Sequence, residues 1–264
     1  MYPFEYHLPL SQTEALAACQ GDSRYLAGGQ SLVQAMKLRM SASERLVDLR
    51  AVSGLDTISC DQNGLTIGAM VRHSEVARSS LVQQHLPALA ELAAGIGDPM
   101  VRSMGTLGGS LANADPAACY PAAVLGLGAT VHTSSRAIAG DAFFTGVYAT
   151  ALEPGELITS VTFPLPLRAA YVKFKQPASR FALVGVFVAQ GRGGVRVAVT
   201  GAKDCVFRVA EIEARLAQQF TAGTAKACAV SPEGLFSDLH ASAAYRAAMI
   251  PVLTARAVAQ ANAR

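Results

Sequence analysis

Residues 105–122 read GTLGGSLANADPAACYPA. Two adjacent glycines, Gly108 and Gly109, lie between the hydroxyl residues Thr106 and Ser110, and Asp115 follows. Glycine permits positive φ angles and the close approach of another molecule to the peptide plane, while serine and threonine add hydroxyl groups beside exposed N–H groups. This combination predicts a turn that binds a phosphate or a pyrophosphate.

A second glycine turn, residues 27–31 with the sequence AGGQS, has the same design. It follows a short apolar segment and opens into a predicted helix over 32–38, which Ser31 is expected to cap and whose first N–H groups favour an anion. Each turn alone is equally consistent with a tight bend in a glycine-rich chain. The pair favours a dinucleotide, on condition that both turns converge on one diphosphate. Neither turn matches the Rossmann or Walker pattern.

Further short segments follow a family pattern in order: DLR at 48–50, LTIGA at 65–69, ADP at 114–116, ELI at 156–158 and YVKF at 171–174. With the two turns, they make the chain resemble the FAD-binding medium subunit of the molybdenum hydroxylases. That family includes carbon monoxide dehydrogenase, xanthine dehydrogenase and the bacterial N-heterocycle hydroxylases. Each segment alone is a weak match to the family pattern, but the ordered set spans most of the chain and is specific to the family.

The resemblance implies an α+β chain with an FAD-binding fold of the vanillyl-alcohol-oxidase (PCMH) type in two N-terminal subdomains. A C-terminal α+β domain with an antiparallel sheet and helices follows, and the expected boundaries are 1–55, 56–166 and 167–264. Residue patterns agree with this division. Ser11 and Glu14 form a capping box before a helix, 55–59 and 64–70 form a hairpin, and 181–189 pairs with 195–200 across a glycine-rich turn. Helices are expected over 209–220 and 242–262, with Pro251 kinking or restarting the last.

The resemblance also implies which residues contact FAD. The first turn, with its flanking residues, would supply Ala27, Gly28, Gly29, Gln30, Ser31 and Leu32, and the second would supply Thr106, Leu107, Gly108, Gly109 and Ser110. In the family both turns approach the pyrophosphate through backbone N–H groups. Because no lysine or arginine lies inside either turn, backbone dipoles and hydroxyl groups would have to hold the two negative charges.

Four further residues are assigned by the resemblance to the remainder of the cofactor. Asp115 either bonds a ribityl or ring atom or caps a helix that begins near Pro116. Ile158 packs on the isoalloxazine or is plain strand core, and Lys173 supplies charge near the ring or is a solvated edge residue. Phe181 falls where several relatives have a tyrosine that shields one ring face. Cys119 stands where relatives often have an acid that contacts the cofactor, which leaves weaker or altered flavin binding open.

The function implied is electron transfer within a molybdenum hydroxylase complex. Electrons would arrive from a [2Fe–2S] partner, be held on FAD, and leave to an external acceptor. The partners implied are an iron–sulfur small subunit and a molybdopterin large subunit, in a dimer of heterotrimers. The alternative is a flavin-free scaffold or assembly protein of the same fold. A stand-alone flavin oxidase is disfavoured, because the sequence shows no acid–base pair that would serve it.

Composition excludes several other classes. Apolar residues make up 51% of the 264 residues and charged residues 16%, with a net charge of +3, and no basic run predicts nucleic-acid binding. The five cysteines are scattered and the five histidines have no ligand spacing, so neither a metal site nor disulfides are expected. The N-terminus lacks the apolar core of a signal peptide, and glycine or proline interrupts the apolar stretches. A cytoplasmic chain without membrane insertion is therefore expected.

Overall fold

Three larger β-sheets follow one another along the chain in the computed structural model, which describes all 264 residues, and Phe144–Gly146 pairs with Ala149–Thr150 in a fourth, two-stranded sheet. The first sheet has three parallel strands in the order β1-β3-β2. Its elements are β1 (Glu5–His7), α1 (Gln12–Ala18), β2 (Ser23–Leu26), α2 (Leu32–Lys37) and β3 (Arg45–Asp48). The Ser11 hydroxyl accepts from the Glu14 N–H at the start of α1, whereas the Glu14 carboxylate accepts from Leu10 rather than from Ser11.

The second sheet is antiparallel, with the order β4-β5-β10-β6-β7. The predicted hairpin is confirmed, with its first strand at 58–61 rather than 55–59 and with Gln62 and Asn63 in the turn. The elements are β4 (Ile58–Asp61), β5 (Gly64–Gly68), α3 (His73–Arg78), α4 (Ser80–His85), α5 (Pro87–Ala94), α6 (Pro99–Met104), α7 (Leu107–Asn113), α8 (Tyr120–Leu127), β6 (Thr130–Thr133), β7 (Ala137–Ala139), α9 (Gly140–Phe143), β8 (Phe144–Gly146), β9 (Ala149–Thr150) and β10 (Ile158–Phe163).

The third sheet is antiparallel in the order β11-β12-β13-β14, and three helices follow it. The predicted hairpin around Gly191–Gly194 is confirmed. The last helix runs without interruption through Pro251, so the expected restart there is wrong. The elements are β11 (Arg168–Lys175), β12 (Ala182–Gly191), β13 (Gly194–Thr200), β14 (Phe207–Arg208), α10 (Ala210–Gln218), α11 (Ala222–Lys226) and α12 (Ala243–Asn262).

The second and third sheets share a hydrophobic core. Tyr120 on α8 and Phe163 on β10 belong to the same buried cluster as Tyr171 on β11 and Phe187 on β12. Helix α8 lies close to β12 because Gly126 leaves room for Phe187; a Cβ atom at Gly126 would be 2.7 Å from the Phe187 ring. The opposite face of the third sheet is covered by α10, α11 and α12. The sheets fall within the three predicted residue ranges, and the domain boundaries themselves stay a prediction.

No helix of the chain combines the length and the apolar character that crossing a membrane requires.

Candidate functional site

A cavity of about 1200 Å³ receives residues from all three sheets and their connections. Every residue predicted for cofactor binding lines this cavity except Leu107, which is fully buried in the core. The predicted residues that line it are Ala27, Gly28, Gly29, Gln30, Ser31, Leu32, Thr106, Gly108, Gly109, Ser110, Asp115, Ile158, Lys173 and Phe181. Residues far apart in the sequence are therefore brought to one site.

The two glycine turns touch each other at one wall of the cavity. A Cβ atom at Gly28 would lie 2.1 Å from the Met104 carbonyl oxygen, and one at Gly109 would lie 3.4 Å from the Ala27 Cβ. The backbone of the first turn thus packs directly on the segment that enters the second turn. Only glycine fits at position 28, because the opposing atoms belong to the backbone and cannot move aside cheaply. The two turns are therefore adjacent in the folded chain, and their convergence on one diphosphate stays a prediction.

The free hydrogen-bond donors are concentrated on the first turn. The N–H groups of residues 28–31 have no acceptor within the chain. In the second turn, by contrast, the Gly108 N–H donates to the Ala69 carbonyl at 2.8 Å, and the Gly109 N–H donates to Thr106 Oγ1 at 3.1 Å. The N–H groups of Gly108 and Gly109 are therefore occupied within the chain, and the approach of both turns to a pyrophosphate through N–H groups, which the resemblance implies, stays a prediction. The second turn instead forms the start of α7 and packs against the first.

Two predicted polar groups have a different local role from the one expected. Ser31 precedes α2 but makes no capping hydrogen bond, so the capping prediction is wrong and its hydroxyl is uncommitted. No helix begins near Pro116, since α8 begins at Tyr120. The Asp115 carboxylate accepts from the Ala117 N–H at 2.8 Å, which closes a local turn, and from the Tyr148 hydroxyl at 3.2 Å. It also lines the cavity, so its contact with a ligand stays a prediction.

At the other end of the cavity lie Ile158, Lys173 and Phe181. The Lys173 ammonium donates to the Gly95 carbonyl at 2.8 Å and to the Cys119 sulfur at 3.3 Å, so the alternative of a solvated edge residue is wrong. Ile158 is buried at the first position of β10 and faces both the core and the cavity. Phe181 is 47% exposed at the start of the third sheet's central strand, where a ligand in the cavity would cover it.

Charged side chains of both signs line the cavity: Arg24, Lys173 and Arg180 are positive, and Asp98, Asp115 and Glu156 are negative. Glu156 is held by Arg136, Thr133 and Ser135, and the Arg136 guanidinium keeps the pKa of the Glu156 carboxyl well below its usual range. Arg24 and Arg180 also line the cavity and make no ion pair or side-chain hydrogen bond. These two arginines, which were missed in the sequence, balance the charge of the Asp98 and Asp115 carboxylates, which also line the cavity without an ion pair.

Both arginines lie next to features that the sequence predicts, although neither was predicted to line the site. Arg24 lies in β2, which leads into the first turn, and Arg180 precedes Phe181. Arg180 has a φ angle of 63°, an unusual conformation for a residue other than glycine. Adjacency to a predicted turn was the available signal, but the direction of each side chain depends on contacts distant in sequence.

His73 is a buried wall residue that sequence reasoning treated as ordinary. It is 5% exposed, its Nδ1 has no hydrogen-bond partner, and its ring lies 5.3 Å from that of Tyr120. Burial, with a smaller contribution from the nearby Arg102 charge, lowers the pKa of His73 to about 4. The imidazole is therefore neutral at neutral pH.

We expect His73 to make the chain sensitive to acid. The unfolded chain binds a proton near pH 6.5 while the folded chain resists it until about pH 4, so stability falls as the pH drops through this window, by about 3 kcal/mol in total. Chemical denaturation from pH 7 to pH 4 measures the slope. His73→Gln should flatten it, whereas the same change at the exposed His7 should not. An unchanged slope in His73→Gln would contradict the assignment.

Comparison with known proteins agrees with this geometry. Residues 2–166 match the family described as FAD binding domain in molybdopterin dehydrogenase, and the chain belongs to that family. It is 34% identical to the carbon monoxide dehydrogenase medium chain of Afipia carboxidovorans, over 99% of this chain and 97% of that one. It is also 34% identical to the nicotine 6-hydroxylase medium subunit of Paenarthrobacter nicotinovorans, over 98% and 97% of the two chains.

A solved structure extends the likeness to the whole fold. Quinoline 2-oxidoreductase from Pseudomonas putida 86 superposes with a TM-score of 0.89 and 30% identity, over 98% of this chain and 97% of that one. The predicted family and fold are thereby confirmed. The chain is an FAD-binding medium subunit of the molybdenum hydroxylase type, an oxidoreductase class.

The residues at the cavity fit FAD. A diphosphate needs several donors close together, and residues 28–31 offer consecutive N–H groups without acceptors beside the free Ser110 hydroxyl. The close glycine contacts let the first turn pack against the backbone that leads into the second turn, so that both turns reach the same wall of the cavity. Half-exposed Phe181 and buried Ile158 supply apolar surface for a ring, and Arg24 and Arg180 supply positive charge.

Proposed function

We propose that this chain binds FAD in the cavity and passes electrons from a [2Fe–2S] partner to an external acceptor. The single observation that supports this most strongly is the row of unpaired N–H groups at residues 28–31, packed against the second glycine turn. Bound FAD would supply a two-electron store that exchanges electrons with both partners. The chain's own residues bind and orient it.

In this proposal the first turn and the Ser31 and Ser110 hydroxyls hold the pyrophosphate, while Arg24 and Arg180 attract its charge from the rim. Ile158 and Phe181 would supply apolar contacts to the ring, and Lys173, held by the Gly95 carbonyl, would supply a positive charge in the same cavity wall. Gly108 and Gly109 act by permitting close packing rather than by donating. Leu107 stabilises the start of α7 from the core side.

The proposed assembly is a dimer of heterotrimers with an iron–sulfur small subunit and a molybdopterin large subunit. Support comes from the similar proteins, which are named as medium chains or medium subunits. We also propose a cytoplasmic location, because all five cysteines are free, as in a reducing compartment. The three-domain division at 1–55, 56–166 and 167–264 belongs to the same proposal.

The visible spectrum of the purified chain tests the proposal. Flavin absorbance bands, with FAD released on denaturation, support it. A colourless chain that also rejects added FAD supports the flavin-free scaffold instead, for which Cys119 in place of the relatives' acid is the motivating feature. Co-purification with partner subunits and a metal assay would then test the assembly.

Arg180 offers a graded test of the charge argument. Arg180→Gln should raise the dissociation constant for FAD about fivefold, the scale of one partly screened contact to a charged group. Arg192 is the matched control, because it is exposed at the turn after β12 and does not line the cavity. Fluorescence titration with FAD measures both variants. Equal affinity in Arg180→Gln and Arg192→Gln would remove Arg180 from the binding site.

A further inference from the structure

The Cys119 sulfur and the Lys173 amine form a close pair in the cavity wall. Their separation is 3.3 Å, and Lys173 is fixed there by its second hydrogen bond to the Gly95 carbonyl. Cys119 is only 5% exposed, and no carboxylate takes part in the pair. The nitrogen is therefore held against the sulfur instead of moving freely in solvent.

A third polar group faces the same sulfur. Tyr171, two residues before Lys173 on β11, is 8% exposed, and its hydroxyl has no hydrogen bond of normal geometry. Burial, together with the neighbouring Cys119 thiol, raises the pKa of Tyr171 well above its usual value. A neutral phenol without a partner thus lies beside the sulfur and is available to bond an oxygen atom added there.

The other cysteines lack this arrangement. The Cys19 and Cys228 thiols point toward the backbone carbonyls of Ser23 and Thr224, and the Cys60 and Cys205 sulfurs make no hydrogen bond with a lysine amine. Cys119 alone among them lines the cavity. A small oxidant that enters the cavity therefore meets one thiol, and that thiol already has a lysine amine in contact.

We propose that Cys119 and Lys173 are a modification site at which peroxide oxidises the cysteine and the lysine captures the product. The Cys119 thiolate attacks hydrogen peroxide; the O–O bond breaks, sulfenic acid forms, and the released hydroxide takes a proton from the Lys173 ammonium to give water. The Lys173 amine then attacks the sulfur. An S–N bond forms, the S–O bond breaks, and the second hydroxide leaves as water with one of the two amine protons, so the sulfenamide keeps one N–H.

In total, one thiol, one amine and one peroxide give a sulfenamide and two waters, with the sulfur oxidised and the peroxide reduced. The product ties β11 to the segment that precedes α8 and removes the positive charge of Lys173 from the cavity. The proposal concerns these two side chains alone and does not depend on the function proposed above.

Peptide mass spectrometry of the full chain treated with hydrogen peroxide tests the proposal. Trypsin should release a cross-linked pair of peptides, 103–136 and 169–175, whose mass is two hydrogens below the sum of both. Dithiothreitol should return the separate peptides. Cys60 in the same digest is the internal control for ordinary thiol oxidation, and it should carry no link to lysine.

Three outcomes would overturn the proposal: Cys119 still reduced when Cys60 is oxidised, Cys119 as sulfinic acid beside unmodified Lys173, or Cys119 in a disulfide. The wild-type chain suffices for this decision, so it does not depend on whether a variant folds. Lys173→Gln adds a second readout. It should abolish the cross-link and let Cys119 proceed to sulfinic acid, and Lys175→Gln, the exposed neighbour on β11, should leave the cross-link intact.

Discussion

A Gly28→Ala chain is expected to lose FAD binding. The added methyl group would lie 2.1 Å from the Met104 carbonyl oxygen and 2.8 Å from the Gly105 Cα. Because these are backbone atoms, the two glycine turns must separate, which moves the free N–H groups of the first turn away from the second. We expect the dissociation constant for FAD to rise at least about tenfold, or ~1.4 kcal/mol, and stability to fall by about 1–3 kcal/mol. Titration with FAD and chemical denaturation measure the two effects.

Gly193→Ala is the matched control, since a Cβ atom there meets nothing within 4 Å. It should keep wild-type affinity and stability. Gly109→Ala provides a milder step, because its Cβ would be 2.9 Å from the Thr106 side chain and 3.4 Å from Ala27. If Gly28→Ala does not fold, Gly109→Ala still tests the contact between the two glycine turns. FAD affinity equal to wild type in both variants would mean that the turns do not form the diphosphate site.

The parts of the site that could be predicted from the sequence are those with local causes. Gly28–Gly29 and Gly108–Gly109 indicate backbone that passes close to other atoms, and paired glycines can be recognised in the local sequence. Which N–H groups stay free is a different matter. The Gly108 N–H is taken by the Ala69 carbonyl, and this pairing exists only because β5 ends beside α7 in the folded chain. The residues next to Gly108 in the sequence do not indicate this hydrogen bond.

The same distinction explains the missed residues. His73 reads as one more histidine in a helix until α6, α8 and the second glycine turn enclose it. Lys173 reads as an edge residue until Gly95 and Cys119, both distant in sequence, supply its acceptors. Pro251 would break an isolated helix, yet α12 continues through it, because the helix is buried against the third sheet and tertiary packing outweighs the local cost.

The shared core bears on how the three predicted domains behave. Tyr171 and Phe187 of the third sheet are buried in the same cluster as Tyr120 and Phe163 of the second. The cavity also takes Lys173 and Phe181 from the third sheet. A substitution that destabilises the C-terminal region should therefore also weaken ligand binding in the cavity, even when the substituted residue does not line it.

Arg246→Met is expected to destabilise the chain by about 3 kcal/mol. Arg246 is 2% exposed on α12, and its guanidinium donates to the Leu183 carbonyl at 2.6 Å, the Gly201 carbonyl at 2.8 Å and the Asp238 carboxylate at 2.6 Å. Methionine fills a similar volume but leaves the Leu183 and Gly201 carbonyl groups without this donor, and it removes the ion pair with the exposed Asp238 carboxylate. The same guanidinium holds the start of β12, which follows Phe181, so affinity for FAD should fall with stability.

Arg256→Met on the exposed side of the same helix is the control and should change neither. One unfolding transition, shifted as a whole in Arg246→Met, is the result that the shared core requires. A separate early transition that leaves FAD bound would show instead that residues 167–264 unfold independently of the cavity.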